Sequence, residues 1–150
     1  MSLVRGVHHV SRTVSDMDRS LYFYRDLLGL RVVLDTEMRG EMLSREVALD
    51  GAHLRLVELA ADGDSELLEL LQYFAPDGAP FPANARCSDI GAHHIALAVA
   101  DIGAAYRNLL AQGIRFTCDP QEVDAGYFAG HWTAYCHDPD GLIVELWQTA

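Results

Sequence analysis

Cysteine is scarce in this 150-residue chain and falls into no pairing pattern. The three present, Cys87, Cys118 and Cys136, form no CxxC motif. That leaves neither a disulfide framework nor a zinc knuckle, and it implies reduced thiols in a cytoplasmic protein. Long apolar runs are missing too. No stretch approaches the roughly 20 residues that cross a bilayer, and no basic-then-apolar leader opens the sequence. Positive charge is the third shortage. Eleven Lys and Arg stand against 22 Asp and Glu, a formal charge of −11. With no basic cluster, nucleic acid and anionic membrane surfaces are excluded as partners. A few local arginines can still receive an anionic small molecule. Half of the residues are apolar and 22% are charged, which excludes disorder. The length suits a single domain able to bury its own core.

What is present is a repeat. His8-His9-Val10 and Asp16 recur as His93-His94-Ile95 and Asp101, both 85 positions later, and Leu68-Glu69-Leu70-Leu71-Gln72 is echoed 76 positions on by Val144-Glu145-Leu146-Trp147-Gln148. Fixed-offset similarity sets the architecture before any residue-level argument. Residues 7–14 read as a strand. Asp16 is an N-cap for a helix over 17–28 that Gly29 stops, and a second strand starts over 30–34. A short helix over 41–49 follows, then a strand over 52–59, a turn at 61–65 and a returning strand from Glu66 to Tyr73. The second copy predicts a strand over 93–100 and Asp101 capping a helix over 102–112. Gly113 stops that helix, and a strand over 114–118 and a loop over 119–130 follow. The copy closes with a strand over 131–137, a turn at 138–141 and a last strand over 142–148. Each half is β-α-β-β-β. The fold class is α+β, with module 1 at about 5–75, a Pro- and Gly-bearing linker at about 76–91 and module 2 at about 92–150. Both are expected to form one domain.

The repeat places a histidine and a glutamate in corresponding positions of each half. Strand side chains alternate faces. If Leu68, Leu70, Val144 and Leu146 pack under the helices, Glu69 and Glu145 project from the other face, and His9 and His94 follow the same rule. A sheltered carboxylate pair is costly unless a cation neutralises it. Two imidazoles and two carboxylates suit one divalent ion such as Ni, Zn, Co, Mn or Fe. Taken singly, each of the four reads more simply as an ordinary strand residue; the repeated pair of pairs favours metal. His8 and His93 face the other way and are expected to be structural or to support the ligands from behind. His131 and His137 lack partners in the first half and rank lower.

The segments VHHVSRTVSDMDRSLYFYRDLLGL, GAHHIALAV and HDPDGLIVELWQ resemble the vicinal oxygen chelate superfamily. Glyoxalase I, methylmalonyl-CoA epimerase, extradiol dioxygenases and the fosfomycin- and bleomycin-resistance proteins belong to it. The resemblance spans essentially the whole chain. It implies paired βαβββ modules forming a curved mixed-sheet cup with the helices outside. One metal is then held by His9, Glu69, His94 and Glu145. This ligand set is most similar to bacterial-type glyoxalase I, and next to the epimerase. The implied activity is metal-dependent lyase or isomerase chemistry, a proton transfer beside a carbonyl of a small metabolite, with Glu145 or Glu69 as the base. An Fe(II) extradiol ring-cleavage dioxygenase and a non-catalytic binding or resistance protein are the alternatives. A homodimer is the expected assembly.

Gln72-Tyr73 stands where glyoxalase I has an Asn-Trp-type segment, which counts against glutathione as cosubstrate. An epimerase needs a second base on the third strand, where the sequence offers His53 and Arg55. Arg55 and Arg39 are candidates for holding a substrate carboxylate or phosphate, and His53 for relaying a proton. Tyr127 and Phe128, in the glycine-flanked stretch 124–131, are candidate substrate contacts on a covering loop.

Overall fold

In a computed structural model that describes residues 3–63 and 67–150, the two repeated aspartates have the same local role. Asp16 Oδ1 accepts a hydrogen bond from Arg19 N at 2.9 Å, and Asp101 Oδ1 accepts one from Ala104 N at 2.8 Å. Each satisfies an otherwise free N–H at a helix start. The repeated glutamines add a tie from strand to helix. Gln72 Oε1 accepts from Met17 N at 3.0 Å, and Gln148 Oε1 accepts from Ile102 N at 2.7 Å. Replacing Gln148 with Leu leaves that N–H without its acceptor and is expected to cost about 1–2 kcal/mol. The check is a lower urea midpoint at unchanged slope.

The first half runs β1 (His9–Thr13), α1 (Met17–Leu21) continuing as a π-helical stretch over Tyr22–Leu27, β2 (Arg31–Arg39), α2 (Glu41–Val47), β3 (His53–Ala60) and β4 (Leu67–Ala75). The second runs β5 (His94–Ala98), α3 (Ile102–Ala111), β6 (Gln121–Glu122), β7 (Trp132–His137) and β8 (Ile143–Gln148). The sheets have the orders β1-β4-β3-β2 and β5-β8-β7-β6. In each, the first strand pairs parallel with the last and the remaining pairs are antiparallel. The chain is therefore α+β, made of two βαβββ modules. By contact it divides into two compact units, one ending at Pro80 and the other beginning at Phe81. Among the described residues no helix is long and apolar enough to cross a membrane.

Each sheet buries its aliphatic face towards its own helix. In the first unit Val57, Leu59, Leu68 and Leu70 are buried, as are Met17, Leu21, Phe23 and Tyr24 of the helix. In the second, Ala134, Cys136, Val144 and Leu146 are buried together with Ile102 and Leu109. A fully buried aliphatic or aromatic side chain contributes about 1.5–3 kcal/mol, so these faces fix which side of each sheet is left for chemistry. The first unit has a second small core on its other face. There Leu43 of α2 meets Ala52 and Leu54, flanked by Met38, Val47, Leu56, Leu71 and Tyr73.

Several boundaries differ from expectation. The helix over 17–28 changes from α to π character at Tyr22. The short helix ends at Val47 because Ala48 takes a left-handed conformation, φ 55°. The strand expected over 114–118 is reduced to a single bridge, Phe116 to Cys136. Pro120, which has no N–H to donate, interrupts the ladder there, and pairing resumes as β6 inside the stretch expected to be loop. Asp64 and Ser65 of the expected turn, and Glu66 of the expected strand, lie outside the described residues.

Candidate active site

Strand register assigns the faces. Glu69 lies opposite Ser11 on β1 and Glu58 on β3. Glu145 lies opposite Ala96 on β5 and Tyr135 on β7. Paired residues share a face, and this face is the reverse of the one that buries Leu68, Leu70, Val144 and Leu146. His9 and His94 precede Ser11 and Ala96 by one alternation, so each histidine shares a face with the glutamate of its own unit. His9 Nε2 is 3.8 Å from Glu69 Oε1, and His94 Nε2 is 3.0 Å from Glu145 Oε2. The carboxylates are sheltered, their side chains 12% and 9% exposed, whereas the imidazoles are 41% and 44% exposed.

This donor chemistry fits a divalent ion. Two ligand atoms each about 2.1 Å from one ion, at octahedral to tetrahedral angles, lie roughly 3.0–3.4 Å apart. The His94–Glu145 pair is within that range and the His9–Glu69 pair slightly beyond it. Among the described residues no three His, Cys, Asp or Glu side chains converge. The building unit is a His/Glu pair, present once in each module.

Glu69 has its pKa raised, first by burial, then by the neighbouring Glu58 and Glu46, against the opposing pull of His9. The folded chain therefore holds this proton more tightly than the unfolded chain does. Its contribution destabilises the metal-free protein as pH rises through and above the ordinary glutamate range. Glu69→Gln is expected to raise the metal-free melting temperature at neutral pH, by about 2–4 °C per kcal/mol relieved. The gap from wild type should close towards about pH 4, which a pH series of calorimetric scans would read.

Glu145 is held differently. Thr133 Oγ1 donates to its Oε1 at 2.6 Å, which leaves Oε2 for His94. The Tyr135 ring lies 5.2 Å from that of His94. Burial, then Glu145 and Cys87, raise the Tyr135 phenol pKa, so it remains a neutral hydrogen-bond donor.

The other expected contacts are placed unequally. Arg55 is opposite Gln72 and shares the helix-bearing face with it, away from Glu58 and Glu69. Its guanidinium is taken up by Asp35, at 2.9 and 2.8 Å, and by Asp18 of α1 at 3.1 Å. His53 Nε2 is 3.1 Å from Glu37 and its ring packs on Phe74. Neither is brought together with Glu69. Odd spacing from Glu58 puts both on the reverse face. Phe128 packs edge-on against Trp147 at 5.2 Å, whereas Tyr127 is 93% exposed. Sequence reasoning missed Glu58, Thr133, Tyr135 and Trp147. The available signal was strand parity: Trp147 is one alternation from Glu145, and Glu58 does supply the third strand with a carboxylate.

The sequence model of the Glyoxalase/Bleomycin resistance protein/Dioxygenase superfamily matches residues 6–146, and the chain belongs to that superfamily. A curated relative, the 2-epi-5-epi-valiolone epimerase of an Actinomyces species, is 35% identical over 145 residues, covering 94% of this chain and 78% of the relative. A probable lactoylglutathione lyase of a Synechocystis species is 27% identical, covering 95% and 94%. Among solved structures, a glyoxalase family protein from Bacillus cereus aligns with a TM-score of 0.84 at 18% identity, over 99% of this chain and 96% of that one.

Proposed function

We propose that this protein is a divalent-metal-dependent enzyme that moves a proton at a carbon beside a carbonyl. In this reading His9, Glu69, His94 and Glu145 together ligate one ion, Ni, Zn, Co, Mn or Fe. The observation that carries it is the repeated pair: twice, on the same face and in the same register, an exposed imidazole stands beside a sheltered carboxylate. The ion, when bound, supplies Lewis-acid polarisation of the substrate oxygens. The chain's own residues do the rest. Thr133 fixes one Glu145 oxygen and so sets the orientation of the other. Tyr135 offers a neutral donor on the same face.

Epimerisation is favoured over the glutathione-dependent lyase reaction, because Glu58 stands directly across the ladder from Glu69. Cross-strand neighbours have Cβ atoms about 4.5–5.5 Å apart. One half therefore carries a second carboxylate beyond the ligand set, as removal and return of a proton on opposite faces of one carbon require. The epimerase among the relatives supports this choice. The test pairs metal content, expected near one equivalent per chain, with exchange of the substrate α-hydrogen for deuterium in heavy water. A metal-loaded protein that exchanges no α-hydrogen on any carbonyl substrate, yet consumes oxygen with catechols, would replace this reading with ring cleavage.

A further inference from the structure

We infer that Arg115 holds an anionic group of the substrate, a carboxylate or phosphate set several bonds away from the carbonyl presented to the His94–Glu145 pair. The inference rests on the proton-transfer reading above and adds the class of molecule on which it operates. Phe116 bridges to Cys136, Thr117 N donates to Tyr135 O at 2.9 Å, and His137 N donates to Arg115 O at 3.0 Å. Residues 115–117 therefore form a short edge to the sheet beyond β7. Phe116 turns to the helix, where its ring meets that of Tyr106 of α3 at 4.7 Å. Alternation then puts Arg115 and Thr117 on the opposite face, the one that carries His137, Tyr135 and Glu145.

The guanidinium on that face is unclaimed. The chain has no lysine. Of the three arginines in the second unit, Arg86 is taken up by Asp89 at 3.0 Å and Arg107 belongs to α3. Arg115 is exposed, and its side chain makes no hydrogen bond or ion pair among the described residues. Arg55, expected from sequence to receive an anion, is instead satisfied by Asp35 and Asp18. Arg115 has both the charge and the face. Its planar fork matches two oxygens of one carboxylate or phosphate. The neighbouring His137 is engaged elsewhere, its Nδ1 donating to Gly141 O at 3.1 Å. Tyr135 lies between Arg115 and Glu145 and adds a neutral donor along the same track.

Register sets the spacing. Arg115 is two strand intervals from β8 and one alternation along from the level of Glu145, so the two Cα atoms are about 12 Å apart. Strand side chains stand roughly perpendicular to their sheet. An anion attached directly to the carbonyl carbon is then too near the His94–Glu145 pair to meet the guanidinium, whereas one several bonds away spans the interval.

The test uses the full metal-loaded chain and two matched pairs of probes, with binding read by calorimetry. 2-Oxoglutarate differs from 2-oxopentanoate in one distal carboxylate, and dihydroxyacetone phosphate from dihydroxyacetone in one distal phosphate. In at least one pair the probe with the distal anion is expected to bind roughly 10–100-fold tighter, and the pair that responds names the group. Arg115→Gln should bring that ratio close to one, and Arg115→Lys should keep part of it. Because Arg115 is exposed, circular dichroism should find both variants folded. The preferred probe should also exchange its α-hydrogen in heavy water, and Arg115→Gln should need roughly 10–100-fold more of it for half-maximal exchange. Failure of both distal anions to bind, equal affinity within both pairs, or a ratio untouched by Arg115→Gln overturns the inference. An Arg115-dependent preference without α-hydrogen exchange keeps the anion site and removes the proton-transfer reading. Exchange on the neutral probe with no gain from either distal anion does the reverse.

Discussion

Replacing His94 with alanine is expected to abolish stoichiometric divalent-metal binding and to slow α-proton exchange by roughly 10²–10⁴-fold. The size follows from where the charge is left. Glu145 is 9% exposed and 3.0 Å from His94 Nε2, so in the proposed site the imidazole and the carboxylate share one cation. Without it, Glu145 keeps, among the described residues, the Thr133 hydroxyl at 2.6 Å as its close side-chain partner. A carboxylate held by one hydroxyl, with no imidazole beside it, offers a cation a single donor from this half of the chain. Thr133→Val should be the milder version, a 10–100-fold loss of metal affinity, because it frees the orientation of Glu145 but spares both ligands. Metal content after dialysis and exchange rate in heavy water separate these outcomes. If His94→Ala retains a full equivalent of metal, the four-ligand reading fails, whatever the activity.

The modules were legible because the repeat is carried by residues with fixed backbone roles. Asp16 and Asp101 are N-caps, Gly29 and Gly113 both have φ of 80° just past their helices, and Gln72 and Gln148 anchor helix starts. Such positions announce themselves by residue type. The 85-residue offset of the capping aspartates falls to 77 at Glu58 and Tyr135, which occupy equivalent register positions opposite Glu69 and Glu145. The difference lies where the first half inserts α2. The short helix over 41–49 has no counterpart in the repeat, and its Leu43 packs against Leu54 on the sheet face away from α1.

The partners of the two glutamates were harder to see. An acidic residue in a chain with 22 of them attracts no notice, and Glu58 acquires meaning only through its register with Glu69. Counting from the strand's start favours His53 and Arg55, which have the opposite parity. The second unit shows the same dependence. Asp138 Oδ1 accepts from Asp140 N at 3.0 Å and Leu142 N at 2.8 Å. The Asp-Pro-Asp-Gly motif is thus a turn clamp whose consequence is to bring Tyr135 opposite Glu145.

Glu58→Gln is expected to separate proton removal from inversion. The amide keeps the size and hydrogen-bonding reach of the carboxylate but cannot accept or return a proton. Metal content should stay at the wild-type level, because Glu58 lies outside the proposed ligand set. Stability should not fall either: Glu58 is among the charges that raise the Glu69 pKa, so neutralising it relieves repulsion. Net epimerisation should nevertheless drop by roughly 10²–10⁴-fold, the usual weight of a single proton-transfer group. Exchange of the α-hydrogen for solvent deuterium should persist if Glu145, as proposed, serves the other face. That combination, exchange without inversion at full metal occupancy, is specific to the loss of one of two proton-transfer groups. Full epimerisation in Glu58→Gln would instead mean that a group other than Glu58 serves the second face of the carbon, and Glu58 would be a bystander across the ladder.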